Sequence, residues 1–394
     1  MDSTTSTNQD NPLSNKNFDD IRPLYDSEVK ETIDFLLQDP WFRNITEPLI
    51  APTSWDDFSK HMRSLDSIYD FQTKVIYDFI LKFIKGNVDD LSLLNPQEID
   101  LNKSYTFMSN HRDIILDAGL FNISLQAQGY QTTEIAIGDN LLIYPWITAL
   151  VKLNRSFIVK RDIPPRQILE ASQHLSEYMH WTIAHKKQSM WIAQREGRAK
   201  DSNDRTQTSL LKMLTLVDRK NPLESIKALN VVPLSVSYEY DPCDYLKAQE
   251  FQQKRDIAGY KKTDRDDLTN MLTGLQGYKG DICFRVCKPL NEKIDRVDAT
   301  QNRATLLQDV ANLIDEEIFR NYEIYTINYI AHDMLKDTDR FSSKYTVEDK
   351  DNFVAYVDKQ IDKIKIDNKD YDFLKHKIIE MYANELINQL SAQE

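Results

Sequence analysis

Only three cysteines occur in 394 residues, Cys243, Cys283 and Cys287, an odd set that cannot pair completely and that fits a reducing compartment. Cys283 and Cys287 lie in the alternating apolar stretch DICFRVC with no partner ligands nearby, so they read as buried thiols and no metal site is expected. Basic residues are in deficit: 49 Lys and Arg against 62 Asp and Glu leave a net charge of −13, which argues against nucleic-acid binding, since its affinity comes from cations that neutralise phosphates. No apolar run reaches the roughly 18 residues that a bilayer-crossing helix needs. The most apolar stretch, Leu141 to Val151, is shorter and broken by Pro145, and reads as a buried element or a face touching a membrane surface. Glycine is scarce, at 9 residues, and neither a Walker loop nor a dinucleotide fingerprint is present. A G-x-S-x-G elbow is missing too, which speaks against a serine or cysteine hydrolase.

What is there is a 41% hydrophobic chain, enough for a core, whose pattern changes along its length. Residues 1–18 are polar and read as a disordered leader. Residues 19–100 read as a helical module: Ile68, Val75, Phe79 and Phe83 recur at helical spacing, Ser54 with Asp57 suits a capping box, and Gly86 a stop. In residues 101–290 the β-favouring runs SYTFM, TEIAI, RSFIV, SMWIAQ, VVPLSVS and DICFRV alternate with helical stretches, predicting an α/β domain with a mostly parallel or mixed central sheet flanked by helices. Residues 291–394 lack proline and glycine. They carry Leu306, Val310, Ile314 and Ile318, then Thr346 and Asp349 as a cap before Phe353, Val357, Ile361 and Ile364, so a second helical module is expected.

Four segments of the α/β stretch can carry chemistry. After SYTFM comes Ser109-Asn110-His111-Arg112-Asp113, with Asp117 beyond; a histidine leaving a strand beside carboxylates suits a general base, because the carboxylate fixes its tautomer. RSFIV ends in Lys160 and Arg161, cations placed to meet an anion at a strand's C-terminal edge. SMWIAQ runs into Arg195-Glu196-Gly197-Arg198-Ala199-Lys200, with Arg205 shortly after; guanidinium forks suit phosphate, and Gly197 lets the backbone turn closely. Pro233 inside VVPLSVS suggests an edge strand or a strand's first residue, able to line a groove. His174, His180 and His185 share no helix face and read as structural. From Lys152 to Arg166 five basic residues meet one acidic, predicting a local cationic pocket.

In this order, the blocks NHRDIILD, FIVKR, REGRAKDSNDR and VVPLSVSYEY resemble those of the glycerolipid acyltransferase superfamily, over roughly Ser104 to Asp241, about a third of the chain. The third and fourth look closer to its glycerol-3-phosphate branch. The resemblance implies an enzyme of phospholipid biosynthesis that moves a fatty acyl group from an acyl thioester, of coenzyme A or an acyl carrier protein, to a hydroxyl of glycerol 3-phosphate or 1-acylglycerol 3-phosphate. It implies His111 as base with Asp117 or Asp113 as its partner. Lys160, Arg161 and Arg198 would hold the acceptor phosphate, with Lys200 and Arg205 behind them. Glu196 and Gly197 would shape the loop, and Pro233 would line the acyl groove. No cofactor beyond the donor substrate is implied. The expected setting is cytoplasmic and peripheral, at the inner face of the membrane, where an acidic carrier protein would meet the basic side of the chain. Two departures stand out: the family's aspartate position holds Leu116, and Arg195 replaces a common proline. Alternatives are O-acylation of a lyso-aminoacid lipid without phosphate, and a non-catalytic lipid-binding scaffold.

Overall fold

A computed structural model describes residues 16–161 and 163–394, so most of the expected leader and Asp162 lie outside the described residues. The alternating runs form a seven-stranded sheet: β1 (Leu91–Leu94), β2 (Thr106–Ser109), β3 (Glu134–Gly138), β4 (Ser156–Val159), β5 (Met190–Ala193), β6 (Val231–Tyr238) and β7 (Ile282–Val286). Its order is β1-β7-β6-β2-β5-β3-β4, parallel throughout except for the antiparallel β6–β7 pair. Six strands lie on the expected runs. The seventh, LSLL at β1, is too short to show alternation and gains its identity from pairing with β7.

The helices are α1 (Val29–Gln38), α2 (Pro40–Ile50), α3 (Trp55–Arg63), α4 (Tyr77–Ile84), α5 (Leu116–Ala127), α6 (Pro145–Leu153), α7 (Pro165–Trp181), α8 (Thr208–Leu214), α9 (Pro222–Ala228), α10 (Asp244–Asp256), α11 (Asp264–Gln276), α12 (Arg303–Arg320), α13 (Thr326–Lys336), α14 (Val347–Asp362) and α15 (Tyr371–Ser391), joined by single turns and short 3₁₀ and π segments. The alternation of strand side chains divides the interior in two. On one face Met108, Ile192 and Val231 pack with Leu175 and Tyr178 of α7 and with Leu307, Val310, Ile314 and Ile318 of α12. On the other, Phe107, Trp191, Val232, Leu234 and Phe284 pack with Ile80 of α4 and Leu116, Leu120 and Phe121 of α5. Each such fully buried side chain stabilises by about 1.5–3 kcal/mol. The first ten residues of α5 are all buried, which is why its apolar pattern shows little sidedness.

Helices α1 to α3 and α6 share a further cluster around Ile33, Phe42, Met62 and Trp146. An apolar pocket of about 690 Å³ lies there, lined by Phe42, Leu49, Phe58, Val75, Phe79 and Trp146 among others. Helices α13 to α15 form a fourth cluster around Ile330, Phe353, Val357, Ile361 and Ile378.

The expectation that Pro233 marks an edge strand or a strand's first residue is corrected: β6 is central, between β2 and β7, and Pro233 is its third residue. The proline is tolerated because the antiparallel ladder with β7 ends at Leu234↔Val286. Pro233 accepts from Cys287 N at 3.0 Å just past that ladder, and the N–H it lacks falls where β7 has ended.

Candidate active site

Central strand β2 delivers Asn110, His111 and Arg112 to the C-terminal edge of the sheet, where the loops of an α/β layer gather. Asn110 prolongs the ladder with its side chain: Nδ2 donates to Val236 O at 2.7 Å, and Oδ1 accepts from Val236 N at 2.9 Å. That clamp fixes the next residue. The His111 ring stands edge-on to Trp191, with centroids 5.6 Å apart, and its Nδ1 lies 2.7 Å from Asp117 Oδ2. An ionised carboxylate only accepts, so Nδ1 carries the hydrogen and Nε2 presents a lone pair. Among the described residues Nε2 has no hydrogen-bond partner, and 14% of the side chain remains exposed.

Asp117 is fully buried, and among the described residues no Lys or Arg lies within salt-bridge distance of it. Its Oδ2 also accepts from the backbone N–H groups of Arg112 (2.6 Å) and Asp113 (3.1 Å), and it stands in the first turn of α5, whose N-terminal partial charge favours an anion. Between His111 and Asp117 the chain makes a turn at Ile114–Ile115 before α5 begins at Leu116. Asp113 instead caps the helix, its Oδ1 accepting from Ile115 N (2.9 Å) and Leu116 N (2.8 Å). Burial first, and Asp117 second, push its carboxyl upward. The Tyr238 hydroxyl, ending β6, is driven well above its usual value by burial and then by Asp117 and Asp113, so it remains protonated beside them.

The cations predicted to hold a phosphate do not converge. Lys160 and Arg161 follow β4, three strand spacings from β2, about 14 Å across the sheet at about 4.8 Å each. Lys160 pairs with Asp20, which also meets His174 Nε2 at 2.9 Å. Arg161 turns back toward Glu196, with Nη1 at 3.6 Å from Oε1, and both are partly exposed. Gly197 adopts φ +65, the left-handed conformation that a side chain disfavours, and behind it the chain dives inward. Arg198 is buried: Nη2 donates to Asn270 Oδ1 of α11 at 2.9 Å, while Nη1 is buried without a hydrogen-bond partner among the described residues. Burial works to lower its guanidinium, but the surrounding Cys243, Asp113 and Asp241 hold it up.

Lys200 lies 3.0 Å from Glu250, which also receives Lys254 and Lys262. Glu250 is held down at about 2: burial opposes its charge, and Lys200 with its neighbours outweighs burial. Arg205 turns the other way, its Nη2 on Asn388 Oδ1 at 3.2 Å and its guanidinium over Phe319. The basic run 152–166 is likewise dispersed. Arg155 is held by Thr132 and Gln188, and Lys152 donates to Asp19 O. Pro233 is buried within the sheet, level with Met108 and short of the edge where His111 stands.

Helix α11 roofs this region. Gly274 presses on Asp113 so closely that a Cβ would run into Oδ2. Lys279, fully buried past its end, donates to the carbonyls of Leu275 and Gly277. Reasoning from sequence singles out neither Asn270, Tyr238 nor Lys279. It also misses the partners of Arg112, whose side chain is 2% exposed: Asp204 at 3.3 Å, Glu385 at 2.8 Å, and the Tyr322 ring beneath the guanidinium. No periodicity or spacing links residues that far apart. Among the described residues there is no cluster of metal-binding side chains, and no helix long and apolar enough to cross a membrane.

No protein-family model matches the chain, and no curated protein does. Among solved structures, the 1-acyl-sn-glycerophosphate (LPA) acyltransferase PlsC from Thermotoga maritima is similar at 10% identity with a TM-score of 0.33, covering 74% of this chain and 95% of that chain. At that level of likeness the functional reading rests on the residues of the site.

Proposed function

We propose that the chain is an O-acyltransferase acting on a glycerolipid precursor, with an acyl thioester of coenzyme A or an acyl carrier protein as donor. One observation carries the reading: His111, oriented by the buried Asp117 through Nδ1, presents an unoccupied Nε2 at the edge of the central strand. In the reaction, Nε2 takes the proton of the acceptor hydroxyl as its oxygen attacks the thioester carbonyl. The C–S bond then breaks, and the imidazolium returns the proton to the leaving thiolate. Electrons and protons balance within the two substrates and His111, so the step calls for neither a metal nor a covalent acyl-enzyme.

The four sequence blocks support a phosphorylated acceptor, glycerol 3-phosphate or its 1-acyl product. The setting we propose is the cytoplasmic face of a membrane, with the chain bound peripherally. A second acceptor class is favoured by a specific observation: Lys160, Lys200 and Arg205 are each engaged by other side chains, and Arg198 lies beneath α11. A lyso-aminoacid lipid, acylated without needing a phosphate clamp, suits that arrangement.

The experiment offers coenzyme A and acyl carrier protein thioesters to purified protein with glycerol 3-phosphate, 1-acylglycerol 3-phosphate and a lyso-aminoacid lipid, and reads products by mass spectrometry. We expect an acylated product whose rate falls by about 10²–10⁴ in His111→Ala. Turnover of the phosphate-free acceptor alone would select the second class. No product from any pair, with folded protein, would favour the non-catalytic scaffold.

A further inference from the structure

One face of α15 meets the loops that leave three neighbouring strands. Tyr382 accepts from Asp241 N at 3.1 Å and donates to Asp244 Oδ2 at 2.9 Å, after β6. Asn384 donates to Asp201 O at 2.8 Å and Asn388 accepts from Arg205 Nη2 at 3.2 Å, in the loop after β5. Glu385 lies 2.8 Å from Arg112 Nη2, in the loop after β2. Positions 382, 385 and 388 are three apart, so they share one side of the helix. Tyr382, Glu385 and Asn388 are all buried.

Arg112 is the residue next to His111, and its own backbone N–H is one of the two that bind Asp117 Oδ2. Its guanidinium, out of contact with water, is shared between Asp204, from the β5 loop, and Glu385. A buried guanidinium is costly to leave unpaired, so the position of the Arg112 backbone follows that of its carboxylates. We propose that Glu385 is a positioning residue: acting through Arg112, it sets the backbone that orients Asp117 and His111, and it registers this loop against the one carrying Glu196 to Arg198. The inference rests on the acyl-transfer reading for its kinetic arm only.

The test uses the full chain with Glu385→Ala. The expected result is at least a tenfold fall in kcat, with KM for each substrate within about twofold, because misplacement of a catalytic group acts on the transition state more than on substrate binding. The His111 ring nitrogens, read by ¹⁵N correlation spectra with His111→Ala as the assignment control, should leave the single Nδ1–H form. Should Glu385→Ala not fold, Glu385→Asp keeps the carboxyl group, retracts it by one methylene, and should show both changes in smaller degree, roughly threefold in kcat. A folded variant with wild-type kcat and a wild-type ring spectrum overturns the proposal. The spectrum needs no substrate. A chain without any transferase activity therefore defeats the acyl-transfer reading alone, and the ring spectrum still decides the role of Glu385.

Discussion

Asp117 Oδ2 meets two backbone N–H groups and the His111 ring at the start of α5, and a neutral amide in its place keeps an acceptor oxygen for these contacts but orients the ring less strongly. Asp117→Asn should therefore leave the fold and lower the transfer rate by about 10²–10⁴, as measured in the acyl-transfer assay. Gly274→Ala sets two effects against each other. Replacing a helical glycine gains up to about 1 kcal/mol, whereas a Cβ meeting the pinned Asp113 carboxylate costs about 1–3 kcal/mol of overpacking. The carboxylate cannot yield without losing its two helix-capping bonds, so a net loss is expected in urea denaturation. At this scale the sequence showed His111 with both nearby carboxylates, since all three share one short segment. It left open which aspartate faces the ring, because that depends on how the turn before α5 closes.

Helices with a regular apolar row were legible: Leu306, Val310, Ile314 and Ile318 are all buried in α12, and Phe353, Val357 and Ile361 in α14. Caps were legible too. Thr346 and Asp349 form the reciprocal box, with Asp349 N on Thr346 Oγ1 at 3.1 Å and Thr346 N on Asp349 Oδ2 at 2.8 Å. Thr346→Ala should cost about 1 kcal/mol, measurable as a lower urea midpoint with an unchanged slope. Helix α11 gave no such signal, because its packing runs against the usual rule. Asn270 and Gly274 face inward over the site, while Leu268 and Leu272 are exposed. Pro233 misled for a related reason: a residue-level rule about ladders cannot see where the neighbouring strand stops.

Across the whole molecule, burial raises three carboxyls that hold the C-terminal helices to the sheet: Asp244 to about 7, Asp315 to about 6 and Glu385 to about 7. Between the ordinary carboxyl value near about 4 and about 7, the native chain keeps protons that the unfolded chain has released, so these groups make stability fall as pH rises through that window. Asp244→Asn should flatten that fall, raising the urea midpoint at pH 8 relative to pH 5 when each is compared with the parent chain. The cations scattered from Lys160 to Arg205 were legible as residues and not as an assembly, because the partners that claim them, Asp20, Glu250 and Asn388, come from distant parts of the chain. The link from Arg112 to Glu385 also sets a timetable. On a ribosome adding about 5–20 residues per second, the loop bearing His111 would wait roughly 15–55 s for the helix that completes its support. A nascent chain would thus carry every sequence block of the site, and no finished site, until α15 emerged.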